Sequence, residues 1–187
     1  MKGTYNKAPP RARYERMWDV NLVLVYLSSG DSSQLNVKEI SHRVATLLAI
    51  SLLLRVSELA DISRESVRIL PLEATFNLLS PRKTQHTGPL QTLSIRRQQE
   101  GECPVSWLEV YLSRTDHLLA IGSRLFVGLV KPHMSVGGST LARWKKSCLA
   151  EAEVDMGVFT AHSSRGSSAS GAVAGGIPVD TVLRRAN

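Results

Sequence analysis

Cysteine is nearly absent from this chain: 187 residues hold only Cys103 and Cys148, far apart, with no Cys-x-x-Cys and no Cys/His ligand spacing. That argues against a disulfide framework and against a zinc site, and it makes a reducing, intracellular setting the expectation. Long apolar runs are missing too. The longest, Val44 to Leu54, is too short to span a bilayer, and the opening Met1–Lys7 lacks the apolar stretch of a secretory signal. No membrane partner is expected. Acidic residues are in deficit, 16 against 23 Lys and Arg, which leaves a formal net charge of +7. A basic chain of this kind favours a polyanionic partner, because clustered Lys and Arg release counterions from phosphates and steer the encounter. Charge alone does not separate DNA from RNA or an anionic membrane.

What is present is a core. With 43% hydrophobic residues, a chain of this length buries enough surface for one domain. Residues 1–13, with Pro9-Pro10 and four basic residues, read as a basic arm ahead of that domain, or equally as an unstructured terminus. Domain residues 14–187 open on a helical face formed by Met17, Trp18, Leu22, Val25 and Tyr26, closed by Ser28-Ser29-Gly30. Asn21 and Asn36 are both candidate helix starters, and the second opens a helix from Val37 to Leu54. After Arg43 that helix is almost uniformly apolar, as a helix central to a domain would be. It leads into Arg55.

A short helical turn at Ser57–Ile62 precedes three strand-like segments, Ser66–Leu70, Ala74–Leu79 and Gln91–Ile95. The last two are joined by a basic hairpin, Pro81 to Pro89. A helix follows over Val105–Leu119, then one capped by Ser139, in which Leu141, Trp144, Cys148 and Leu149 face inward. Arg143, Lys145 and Lys146 are expected on its accessible face, suited to phosphate contact; Arg82 in the hairpin is a further candidate DNA-binding residue. Gly166 to Gly176, crowded with Ser, Ala and Gly, reads either as a low-complexity linker or as a closely packed helix. Pro178 would open one more helix. The fold class expected is α+β, mostly helical, with a small antiparallel sheet.

Two arginine motifs carry the chemistry: Leu54-Arg55-Val56-Ser57-Glu58-Leu59 and Thr160-Ala161-His162-Ser163-Ser164-Arg165. Arg grips phosphate oxygens because its planar guanidinium donates two parallel hydrogen bonds and stays charged at neutral pH. His162 and Arg165, three apart, project from one helix face. Taken singly, Arg55 with Glu58 is most often a surface pair, and a His-x-x-Arg occurs by chance in many helices. The order of the pieces is what stands out.

In that order they resemble the tyrosine recombinase and integrase family, closest to the recombinases of DIRS-type retroelements. The likeness runs through Arg55-Val56-Ser57-Glu58-Leu59, Arg82-Lys83-Thr84, Leu125-Phe126, Arg143-Trp144 and the His-x-x-Arg to Leu183-Arg184-Arg185-Ala186-Asn187. It implies a catalytic-core-like domain acting in DNA recombination and integration, with no metal and no cofactor. Arg55 and Arg165 would bind the scissile phosphate. His162 would hydrogen-bond it or assist proton transfer, Lys83 would be the general acid, and Glu58 would hold the turn that positions Arg55. Double-stranded DNA is the implied partner, with homo-oligomers forming on it, and the nucleus is the implied location.

Two departures stand against the pattern. Leu52-Leu53-Leu54 occupies the place where many relatives have a small Thr-Gly pair. The family's next active-site residue and its nucleophilic tyrosine would both fall beyond Asn187, while Tyr5, Tyr14, Tyr26 and Tyr111 all precede the His-x-x-Arg. The expectation is a catalytic domain truncated before its nucleophile and inactive alone, unless a neighbouring protomer supplies the tyrosine. A non-catalytic DNA-binding remnant of a mobile element is the second reading, and a helical interaction module without a nucleic-acid role is the third.

Overall fold

The computed structural model describes residues 17–82, 85, 87–98, 103–118, 124–160 and 163–186. The basic arm at 1–13 lies outside the described residues. Helix α1 (Val20–Ser28) is followed by α2 (Val37–Ser51) and the short α3 (Val56–Ala60). Strands β1 (Arg68–Ile69), β2 (Glu73–Asn77) and β3 (Thr92–Arg96) form an antiparallel sheet in the order β1-β2-β3. Then come α4 (Pro104–Thr115) with a 3₁₀ turn, α5 (Gly138–Glu151), α6 (Ser163–Ala174) and α7 (Val179–Ala186). The fold is α+β and mostly helical, as the sequence patterns imply.

Helix α2 organises the domain. Every residue from Ile40 to Ile50 is buried, so the helix has no solvent face over that span and packs against α4 and α5. Asn36 starts it. Its side chain accepts from the Glu39 N–H at 3.0 Å while Glu39 Oε2 accepts from the Asn36 N–H at 2.8 Å, a reciprocal capping box. Asn36→Ala should therefore lower unfolding free energy by about 1 kcal/mol in urea titration. Asn21 has a different place, inside α1, where Asp19 is the cap. From α2 the buried Arg43 donates to the carbonyls of Tyr26, Leu27 and Ser29, satisfying the C-terminal end of α1.

The helix ends three residues earlier than its apolar run. Leu53 takes φ +54°, and Leu54 N–H returns to Ala49 O at 3.1 Å, so the chain reverses before Arg55. A left-handed leucine costs on the order of 1–3 kcal/mol. Burial of Leu52, Leu53 and Leu54 holds it there. The small pair's place in the resemblance is thus filled by a strained turn pinned by three core side chains.

The sheet buries one face. Ala74 and Phe76 of β2 and Leu93 and Ile95 of β3 point into the core, at the period of two a strand requires. Hydrogen bonds from Ser63 N–H to Asn77 O and from Leu79 N–H to Asp61 O fasten the end of β2 to the chain just after α3. That junction carries Arg82 toward Glu58.

Of the two readings of Gly166 to Gly176, the helix is the one observed. Its small residues permit close approach: a Cβ at Gly166 would meet Met17 Cε at 3.3 Å, and one at Gly171 would meet Val20 Cγ2 at 3.4 Å. Ser139, expected as a cap, instead lies inside α5, which starts at Gly138 behind Gly137.

Candidate nucleic-acid interface

Arg55 is the N-cap residue of α3 and Glu58 its third residue. Glu58 Oε2 accepts from the Arg55 N–H at 2.8 Å, and Arg55 Nη1 donates to Glu58 Oε1 at 2.7 Å. One carboxylate therefore holds both the backbone and the side chain of Arg55. Its relative exposure is 6%, against 30% for the arginine. Arg55 is the partner that still faces outward.

Arg82 reaches the same carboxylate from the β2–β3 connection, with Nε 3.4 Å from Oε1 and Nη2 3.4 Å from Oε2. It is 3% exposed and also donates to Gln91 Oε1 at 3.5 Å. Arg82, expected among the DNA-contacting residues, is instead buried with its guanidinium against Glu58, which gives it an inward role. Gln91 carries no sequence signal.

Arg165 sits half-buried on α6. Burial is the largest influence pulling its guanidinium below the usual arginine range; Arg55 pulls it down further, Glu58 opposes, and Arg82 adds a smaller downward pull. These couplings bring Arg55, Glu58, Arg82 and Arg165 into one electrostatic cluster. Among the described residues, Arg55 and Arg82 pair with one carboxylate and Arg165 feels its charge, and the excess positive charge suits an anion. Lys83 and His162 lie outside the described residues.

Helix α5 presents Arg143 and Lys146 to solvent, Arg143 donating to Thr140 Oγ1 at 3.3 Å. Lys145 does not join them. It is 1% exposed, and its Nζ donates to Ser164 Oγ at 2.7 Å. The correction has a simple cause: Leu141, Lys145, Cys148 and Leu149 fall at helical spacing on one face, and that face is the buried one. Burial brings the Lys145 pKa down to about 8. Ser164, beside Arg165, was marked by no sequence signal beyond its place in the His-x-x-Arg.

Solved structures share this arrangement of elements. XerH, a site-specific recombinase bound to palindromic difH substrate in a post-cleavage complex, superposes with a TM-score of 0.68 at 12% identity, covering 91% of this chain and 45% of XerH. The XerA recombinase gives 0.63 at 16% identity, covering 100% of this chain and 64% of XerA. A lambda integrase dimer bound to a COC′ core site gives 0.53 at 14% identity, covering 96% and 50%. The fold is that of the tyrosine recombinases. The chain spans about half the length of XerH and of lambda integrase, and just under two thirds of XerA. No protein-family model matches the sequence, and no curated protein does.

Two of the tyrosines lie among the described residues. Tyr111 is fully buried; its hydroxyl donates to Leu125 O and accepts from the Val127 N–H, both at 3.2 Å. Tyr26 hydrogen-bonds Glu151 and stacks under Arg43, whose Cζ lies 4.7 Å from its ring centre. Burial, the largest cause in each case, pushes both phenols up to about 12. Both are committed to joining elements. Tyr5 and Tyr14 lie outside the described residues. Among the described residues no His/Cys/Asp/Glu group is arranged to hold a metal, and no helix is long and apolar enough to cross a membrane.

Proposed function

We propose that this chain binds double-stranded DNA through a phosphate site built by Arg55, Arg165 and the Glu58–Arg82 pair, and that its lineage function is DNA recombination and integration by strand cleavage and rejoining. The observation that carries the reading is the pairing of Arg55 and Arg82 with one carboxylate, close enough to Arg165 for all three to act on its charge. A guanidinium held this way is oriented before substrate arrives, which is what stabilising a phosphoryl transition state demands. In the reaction proposed, a tyrosine oxygen bonds to phosphorus and the bond to the 5′ oxygen breaks. The leaving oxygen takes a proton from Lys83, assisted by His162, and a 5′ hydroxyl later reverses the step.

The nucleophile is the open part of that scheme. Tyr26 and Tyr111 are tied into the fold, an observation that favours the second reading: this chain alone binds DNA without cutting it. The catalytic reading would instead need a neighbouring protomer on the same DNA to supply the tyrosine. The motif spelling points to a DIRS-type mobile element, and a nuclear location follows from that origin.

Titrating a labelled duplex at several salt concentrations tests the binding step. Affinity should fall steeply with salt, and Arg165→Ala should weaken it about tenfold while lowering the logarithmic salt slope by roughly one. Binding indifferent to salt and to Arg55→Ala and Arg165→Ala would leave the interaction module as the better reading. A nicked duplex that traps covalent adducts separates cutting from binding: an adduct formed by this chain alone would overturn the non-catalytic reading.

A further inference from the structure

We propose that Lys145 is a positioning residue for Arg165, acting through Ser164. The inference rests on the reading of Arg165 as a phosphate ligand and adds a component to that site. Among the described residues Lys145 is the one buried lysine, on the α5 face that packs inward with Leu141, Cys148 and Leu149. Its Nζ meets Ser164 Oγ at 2.7 Å, and Ser164, itself 1% exposed, immediately precedes Arg165. The residue before it is held from another side: Ser163 Oγ accepts from Trp18 Nε1 at 2.9 Å and donates to Thr160 O at 2.7 Å. Two successive hydroxyls thus fix the first turn of α6.

That turn needs fixing. The α6 sequence SSRGSSASGAVA is rich in Ser and carries two glycines, so intrinsic propensity contributes little and its rotation is set by tertiary contacts. Successive residues of an α-helix lie about 100° apart, so a slip of the first turn would swing Arg165 away from Arg55 and Glu58. An aliphatic side chain at position 145 would fill the same space without a directed contact. A lysine reaches across to one named oxygen, and an ammonium buried here is otherwise unfavourable.

The test reads the arginine itself. In the full chain, the order parameter of the Arg165 Nε–Hε group, assigned by its loss in Arg165→Lys, should fall in both Lys145→Met and Ser164→Ala and stay unchanged in Lys131→Met, an exposed lysine in a turn ahead of α5. Ser164→Ala guards against misfolding, because alanine is the better helix former. Duplex affinity should drop about fivefold in Lys145→Met, while the double variant with Arg165→Ala should bind no more weakly than Arg165→Ala alone, as expected of coupled residues. An unchanged order parameter, or losses that multiply in the double variant, overturns the proposal. Should Arg165→Ala leave duplex affinity untouched, the DNA reading fails by itself, and the order parameter alone decides whether Lys145 positions the arginine.

Discussion

Glu58→Gln should remove about 3–5 kcal/mol of unfolding free energy, the range seen when one partner of a buried ion pair is deleted. The substitution keeps the shape and takes away the charge. Arg82, 1% exposed at its side chain, would then keep a buried cation with its carboxylate gone, and Arg55 would lose its charged partner, the one acceptor oxygen of glutamine being left to serve either its N–H or its guanidinium. Arg55 contributes less to the loss, because at 30% exposure water screens its pair. Urea titration measures the total. Sulfate gives the argument a second handle: if three guanidinium groups surround an anion site, added sulfate should stabilise Glu58→Gln more than the unaltered chain. A loss under about 1 kcal/mol would place Glu58 among ordinary surface pairs, and equal sulfate effects on both proteins would remove the anion-site interpretation.

Glu58 also shows what the sequence discloses and what it hides. Arg55 and Glu58 are three apart, and helical spacing alone puts them together; α2 is legible from an apolar run too complete for a surface helix and from the Asn36 cap with Glu39 three residues on. Arg82 is different. Its burial depends on the chain beyond β2 meeting Glu58 of α3, and nothing local in Pro81-Arg82 encodes that contact. Lys145 was legible in principle, since positions 141, 145, 148 and 149 share a face, but lysine on an apolar face is usually read as reaching past it to water. The early end of α2 at Ser51 was hidden by its own composition: Leu52, Leu53 and Leu54 continue the apolar run while the backbone turns left-handed at Leu53. Composition likewise left two states open for α6, because small residues weaken an isolated helix and permit a close-packed one. Contact with Met17 and Val20 decides between them.

Lys145→Met should stabilise the protein at neutral pH by about 2 kcal/mol, the opposite of what deleting a structural hydrogen bond would ordinarily do. The sign follows from linkage. Burial lowers the Lys145 pKa from its ordinary 10.5 to about 8, so below pH 8 the amine is charged in both folded and unfolded chains and the folded state bears the full burial penalty. Between pH 8 and 10.5 the unfolded chain binds more protons than the folded one, and stability climbs with pH. Cys148 opposes this. Its thiol is raised by burial from 9.0 to about 11, so the folded state holds the extra proton and stability falls as pH rises from 9 toward 11. Tyr26 and Tyr111, raised from 10.0 to about 12, pull the same way above pH 10. Between pH 8 and 9 the two thiols titrate as well: Cys148 opposes Lys145, and Cys103, in which burial is outweighed by hydrogen bonds to the sulfur that lower its thiol, adds to it. The lysine is therefore read from the difference between the unaltered chain and Lys145→Met, which should narrow by about 1 kcal/mol across that window. Urea midpoints of both proteins across that window decide it, and a difference that does not change with pH would assign the titration to another group. A variant that is more stable yet binds DNA less well would be a residue retained against stability for the site it serves, since Met fills the cavity but leaves Ser164 and the turn that carries Arg165 without their ammonium contact.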